Sequence, residues 1–172
     1  MQTPQSLFRD AMGRFSAAVT VITAGAPGNR LGLTATAVCS LSDNPPSLVA
    51  CVNKQAAAHA LIVDSGCFGV ALLGAAHATV AERFAGRFGT RGEARFEGLN
   101  WITGATGAPL LGDALAAYDC RLHQAVDGFT HTIFIGQIEF IRLGDQAGAC
   151  LMWRERRFHT VTELPEPWAA VG

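Results

Sequence analysis

Residues 16–54 hold three apolar, β-branched runs separated only by short turn-forming stretches, Gly25-Ala26-Pro27-Gly28-Asn29 and then Asp43-Asn44-Pro45-Pro46. A parallel pair of strands needs a crossover of a dozen or more residues, so connections this short leave antiparallel pairing. The same habit returns near the other end, where residues 115–126, 131–143, 150–153 and 157–161 read as strands. Between them, residues 56–63 and 75–85 are rich in alanine and helix-prone, and residues 67–73 form a short apolar strand. At the start, Thr3 supplies an N-cap hydroxyl and Pro4 suits the first helical position, which predicts a helix over about 4–14 with an apolar stripe of Leu7, Met12 and Phe15. Residues 88–98, rich in glycine and arginine, predict a long surface loop. Residues 101–111 read as irregular but anchored, and 163–172 as a tail.

No regular alternation of strand and helix runs through the chain. Six or seven strands with two or three short helices predict a mainly β fold, a Greek-key-like antiparallel barrel that is closed or nearly closed and carries helical additions. With 172 residues and no linker or repeat, residues 1–172 read as a single domain.

Hydrophobic residues make up 49% of the chain and charged residues only 16%, against about a quarter in ordinary globular proteins. So few charges imply that a second subunit covers part of the surface. A net charge of −1 leaves no electrostatic footprint for nucleic acid. The N-terminal residues mix charges of both signs, and no run approaches the roughly 18 apolar residues of a membrane helix. Five scattered cysteines in apolar surroundings read as reduced thiols, and the expected location is the cytoplasm.

Several chemistries are excluded at the motif level. No two of the 19 glycines stand two apart, so a GxGxxG dinucleotide fingerprint cannot occur. Lys54 is the only lysine and no Walker A loop surrounds it. There is no GxSxG, CxxC or HExxH, and the five histidines are far apart.

What remains is LGLTATAVCSLSDNPPSLVACVNK, residues 31–54. Its first arm is built of side chains too small to fill space, so a flat ligand could lie against the backbone of Thr34, Ala35, Thr36 and Ala37. Small residues in a strand equally make room for a helix packed above them. Its second arm delivers Asn53 and Lys54 to one end, where Lys54 is either a solvated surface lysine or a partner for a phosphate.

Together with FRDAMGRFSAAVTVIT (8–23), ERFAG (82–86), GAPLL (107–111), the Thr130-His131 pair and RRFHTV (156–161), this stretch resembles the flavin reductase components of two-component flavin-dependent monooxygenases, of the 4-hydroxyphenylacetate and pyrimidine-degradation types. The resemblance implies an FMN-binding split β-barrel, usually a homodimer. It also implies an NAD(P)H:flavin oxidoreductase that reduces FMN or FAD with NADH or NADPH and supplies reduced flavin to a separate oxygenase.

By the same resemblance Thr34, Ala35, Thr36 and Ala37 contact the isoalloxazine and Ser40 lies on the ribityl side. Cys51, Val52, Asn53 and Lys54 run past ring and phosphate, Arg83 and Phe84 serve the phosphate or adenine end, and His131 sits beside the nicotinamide as the catalytic candidate. Arg156, Arg157 and Phe158 either close over the ring or guard an edge strand. Two departures stand out. Ala56, Ala57 and Ala58 replace a commonly present phosphate hydroxyl, and Phe129 occupies a position where relatives commonly have glycine. Phe129 either covers the flavin or turns into the core. If it blocks nicotinamide access, the chain is a non-catalytic flavin carrier or structural dimer on the same barrel.

Overall fold

The computed structural model describes residues 3–144 and 148–163. Helix α1 (Pro4–Met12) opens as its sequence requires, the Thr3 hydroxyl accepting the Ser6 N–H at 3.2 Å, and it stops two residues short of the expected end. None of its residues is buried. Leu7, Phe8 and Met12 are exposed, as is Phe15 just beyond, and the Glu155 N–H tethers the helix end by donating to the Gly13 carbonyl at 2.7 Å.

The chain then forms β1 (Ala17–Ala18), β2 (Thr20–Ala24), β3 (Leu31–Ala35), β4 (Val38–Asp43) and β5 (Pro46–Asn53), followed by helix α2 (Ala57–Ser65), β6 (Cys67–Leu72) and helix α3 (Ala78–Phe84). After a long connection come β7 (Trp101–Thr103), β8 (Pro109–Leu111), β9 (Ala116–Gly128), β10 (His131–Leu143), β11 (Leu151–Arg154) and β12 (Arg157–Thr160). Seven strands form one sheet in the order β3-β2-β6-β9-β10-β5-β4, every pairing antiparallel.

The two edge strands of this sheet, β3 and β4, are joined by only Thr36 and Ala37. Two residues cannot span a flat seven-stranded sheet, in which neighbouring strands lie about 4.8 Å apart. The sheet therefore curls until its edges meet. The Cys51 N–H donates to the Ala37 carbonyl at 2.9 Å, which extends the β4–β5 pairing up to the junction, and β3 and β4 share no ladder. The result is a split barrel whose seam is the β3–β4 junction, in agreement with the expected fold class.

Strand β2 is buried along its whole length because both faces are covered. Val21, with Val19 just before the strand, joins one cluster with Phe84, Phe96, Leu111 and Leu151, while Ile22 and Ala24 join the barrel interior with Val52, Ile62, Phe68 and Phe134. Between β1 and β2 the chain passes from a three-stranded sheet, β1-β11-β12, into the barrel.

The structure corrects two readings of the middle region. Residues 88–98 lie largely at the surface, as expected, but they are not without structure: Gly92–Phe96 forms a 3₁₀ turn whose Phe96 is buried edge-on against Phe84 at 5.1 Å, and Arg30 clasps Glu93. Residues 101–111 pair as the β7–β8 hairpin. Both owe their order to distant partners, which a local pattern cannot show. Of the expected tail, residues 164–172 lie outside the described residues. No helix among the described residues is long and apolar enough to cross a membrane, and all five cysteines are free.

Candidate functional site

An edge strand has a neighbour on one side only, so alternate N–H and C=O groups face outward. At the seam, β3 presents such groups to a cleft of about 200 Å³. Thr34, Ala35 and Thr36 form one wall, α3 contributes Ala81 and Glu82, and the β11–β12 hairpin contributes Trp153 and Phe158. The structure thus brings Phe158 together with the Thr-Ala-Thr run, although more than 120 residues separate them in sequence. Trp153 was not anticipated; it is the direct ladder partner of Phe158, and the rings meet edge-on at 5.0 Å.

Within the run the roles divide. The Thr34 hydroxyl donates to the Ala81 carbonyl at 2.6 Å, which fastens α3 over the strand, and the Thr20 hydroxyl donates to the Ala35 carbonyl at 2.8 Å. Thr36 and Ala37 are exposed. Of the two sequence alternatives, the structure shows that these small residues admit a helix, and they also leave a shallow backbone surface beside it. Ser40 is exposed on β4 and lines a different, mainly apolar cavity of about 260 Å³ with Leu48, Val70 and Tyr118.

Beyond the junction, β5 carries Cys51 past Ala37. Burial, and secondarily the neighbouring Cys39 thiol, push the Cys51 thiol above its ordinary pKa, which favours its protonated form. Val52 points into the barrel core. The Asn53 side-chain oxygen accepts the Gln55 N–H at 2.8 Å, turning the chain into α2. In the β5–β10 ladder Asn53 stands opposite His131, whose Nδ1 lies 2.9 Å from the Thr130 hydroxyl. Lys54 places its ammonium 2.6 Å from Asp127 Oδ2, and the hydrogen bond from Lys54 holds the Asp127 carboxyl below its ordinary pKa.

Phe129 does not turn into the core. It sits at the tip of the β9–β10 hairpin, 92% exposed, with φ of 63°. That is the left-handed region in which glycine is the usual occupant, which explains why a two-residue hairpin loop here favours glycine. Arg83 donates to the Glu97 carbonyl at 2.7 Å, bracing the segment before β7, and Phe84 is 1% exposed in the core. Arg156 sits in the β11–β12 turn and reaches Asp10 of α1, while Arg157 is exposed.

A second cleft, of about 350 Å³, opens where β3, the start of α2 and the 91–95 segment converge. Ala56 and Ala57 form one side, Arg91 and Arg95 the other. Arg95 is braced by the carbonyls of Thr90, Gly32 and Phe84 at 2.9, 3.2 and 3.2 Å. Helix α2 has no side-chain cap at its N-terminus, so its first N–H groups and the positive end of its dipole face the same space. Two guanidiniums and these N–H groups stand where the alanines removed a hydroxyl. The residues fit an anionic group here and a flat ring at the seam, the two ends of a flavin nucleotide. The arginines were missed because residues 88–98 carry no periodicity; their spacing of four was the one available signal.

Residues 12–162 match the flavin reductase like domain family. This chain belongs to that family. It is 41% identical over 160 residues to the FMN reductase (NADH) RutF of Ancylobacter novellus, covering 92% of this chain and 86% of that protein. Among solved structures it resembles BorF, the flavin reductase component of a bacterial two-component tryptophan halogenase, with a TM-score of 0.84 and 32% identity over 93% of this chain and 99% of that one. It also resembles the NADH:FAD oxidoreductase SgcE6 of Streptomyces globisporus in complex with NAD and FAD fragments, with a TM-score of 0.82 and 29% identity over 95% of each chain.

Proposed function

We propose that this flavin reductase family member is a single-domain, cytoplasmic NAD(P)H:flavin oxidoreductase, using NADH and FMN as the 41% identical relative does and FAD as an alternative flavin. The observation that carries the reading is the seam cleft itself. An outward-facing backbone edge at residues 34–36 stands opposite Phe158, and an arginine-lined cleft lies further along the same strand, at residues 31–33.

Flavin and nicotinamide supply the hydride chemistry when bound, so the chain's task is binding, orientation and exclusion of water. In this reading the backbone of Thr34 to Ala37 meets the polar edge of the ring and Phe158 offers it an aromatic face. Ala56 and Ala57 let the phosphate approach the α2 N-terminus, where Arg91, Arg95 and Lys54 share its charge. His131, beside Asn53, orients the nicotinamide by hydrogen bonding. A homodimer is supported by the apolar groups that no described element of the chain covers: Phe8 and Phe15 at α1, and Phe140, Ile141 and Leu143 on the distal half of β10, are all exposed. The partner in turnover is a separate oxygenase that receives the reduced flavin, a reading supported by the likeness to BorF, which is the flavin reductase component of a two-component tryptophan halogenase.

The test is direct: purified protein is mixed with NADH and excess FMN, and absorbance at 340 nm is followed. Oxidation well above the protein-free rate supports the reading. Background rates with both flavins and with both nicotinamide donors sink it and leave the non-catalytic flavin carrier in its place.

A further inference from the structure

The carboxylate of Asp127, near the end of β9, uses both of its oxygens. Oδ1 accepts the Phe129 backbone N–H at 2.9 Å, and Oδ2 accepts the Lys54 ammonium at 2.6 Å. The Lys54 backbone N–H donates in turn to the Thr130 carbonyl at 3.1 Å. Lys54 is thus fastened to the β9–β10 turn through both its main chain and its side chain. The turn amide fixes the direction of the carboxylate, so Asp127 is aimed at Lys54 before any ligand arrives.

Both side chains are accessible to water, 36% for Lys54 and 76% for Asp127, and an ion pair in that setting exchanges readily. Lys54 is also the only lysine of the chain. One ammonium therefore has two anionic claimants: an internal carboxylate already in place, and the phosphate that the proposed function brings to this end of β5.

We propose that Asp127 determines affinity for phosphorylated flavins by competing with the phosphate for Lys54. The proposal rests on the reading that Lys54 receives that phosphate. A carboxylate and a phosphate monoester present the same kind of oxygen acceptor, and although the ammonium has three N–H donors, Asp127 neutralises its charge and draws it toward the β9–β10 turn, which weakens its hold on the phosphate. The competition weakens the phosphate end and leaves the ring contacts at the seam untouched. Loose holding of this kind suits a protein whose reduced flavin must leave.

The experiment measures dissociation constants for FMN and riboflavin, by quenching of flavin fluorescence at low ionic strength, for the native protein, Asp127→Asn, Lys54→Ala and the double variant. Asparagine keeps a side-chain oxygen for the Phe129 amide, so the turn is preserved while the charge is removed. Asp127→Asn is expected to tighten FMN roughly 3- to 10-fold, with riboflavin unchanged, and the gain is expected to disappear at high salt and in the Lys54→Ala background. An equal gain for riboflavin overturns the proposal. So does a gain for FMN that persists undiminished without Lys54, which marks simple repulsion of the phosphate. If Lys54→Ala leaves the ratio of FMN to riboflavin affinity as it was, the phosphate assignment of Lys54 itself is wrong and the proposal falls with it. If Lys54→Ala lowers that ratio while Asp127→Asn does nothing, the assignment stands and only the competition fails.

Discussion

Phe158 and Trp153 are direct partners across the β11–β12 ladder, their rings edge-on at 68° with centroids 5.0 Å apart. Trp153 backs Phe158 and holds its ring at the seam cleft. Removing that ring in Phe158→Ala takes away an aromatic face worth about 0.5–1.5 kcal/mol. Flavin affinity is expected to fall roughly 2- to 12-fold, and by the same factor for FMN and riboflavin, because the loss concerns the ring and not the phosphate. Titration by flavin fluorescence checks this. Unchanged constants place Phe158 outside the site.

His131 stands opposite Asn53 with its Nδ1 held by the Thr130 hydroxyl. A residue that orients the nicotinamide matters most once the donor is bound. His131→Ala is expected to lower kcat about 10-fold, as the loss of one positioning hydrogen bond of about 1–1.5 kcal/mol would, with flavin affinity within about twofold of native. His131→Asn, which retains a donor, is expected to recover part of the rate. A loss of flavin affinity with kcat intact assigns His131 to holding the hairpin.

The barrel was legible in the sequence because its determinants are local: short turns between β-branched runs, Thr3-Pro4 before α1, and alanine-rich stretches for α2 and α3. The small residues 34–37 were legible for the same reason. Sequence could not show that Thr34 spends its hydroxyl on Ala81, since that partner lies 47 positions away. Nor could it show that Lys54 is held by Asp127, 73 positions on. Arg91, Arg95 and Trp153 gain meaning only from what folding brings opposite them. Phe84 reads as a ligand contact from its motif; it packs in the core with Phe96 and Trp101 and also lines the cleft of Arg91 and Arg95, a double position that no local pattern shows.

The clasp between Arg30 and Glu93 gives the 92–96 turn a dependence on pH. The Arg30 hydrogen bond holds the Glu93 carboxyl below its ordinary pKa. A carboxyl depressed in the folded state stabilises that state fully above the unfolded value, about 4.3, and the contribution is lost as pH falls through the folded value. Urea unfolding midpoints of native protein and Glu93→Gln should therefore differ at about pH 7 and converge below about pH 4. A gap that stays constant across this range shows that the ion pair contributes nothing to the turn. Because Arg95 lies in the same turn, FMN affinity is expected to follow the same trend.

Gly136 tests the barrel interior independently of the site. A Cβ placed there would lie 2.5 Å from Phe68 Cζ and 2.9 Å from Cys120 Cβ, and the β9–β10 register shifts between Ile135 and Gly136. Phe68 and Cys120 are both fully buried, so neither ring nor strand can move without disturbing its neighbours. Overpacking of this kind costs about 1–3 kcal/mol, and Gly136→Ala should lower the unfolding free energy by that amount. Phe68→Leu alone should also destabilise, by the loss of ring volume and of its contact with Phe134 at 6.3 Å. Combined, the two changes relieve each other, because the smaller leucine leaves room for the new methyl group. The double variant is therefore expected to be more stable than the sum of the single losses by at least about 1 kcal/mol. Strict additivity means that the strand adjusts around the methyl group and that the close approach of Gly136 to Phe68 is not what fixes β10 against β6.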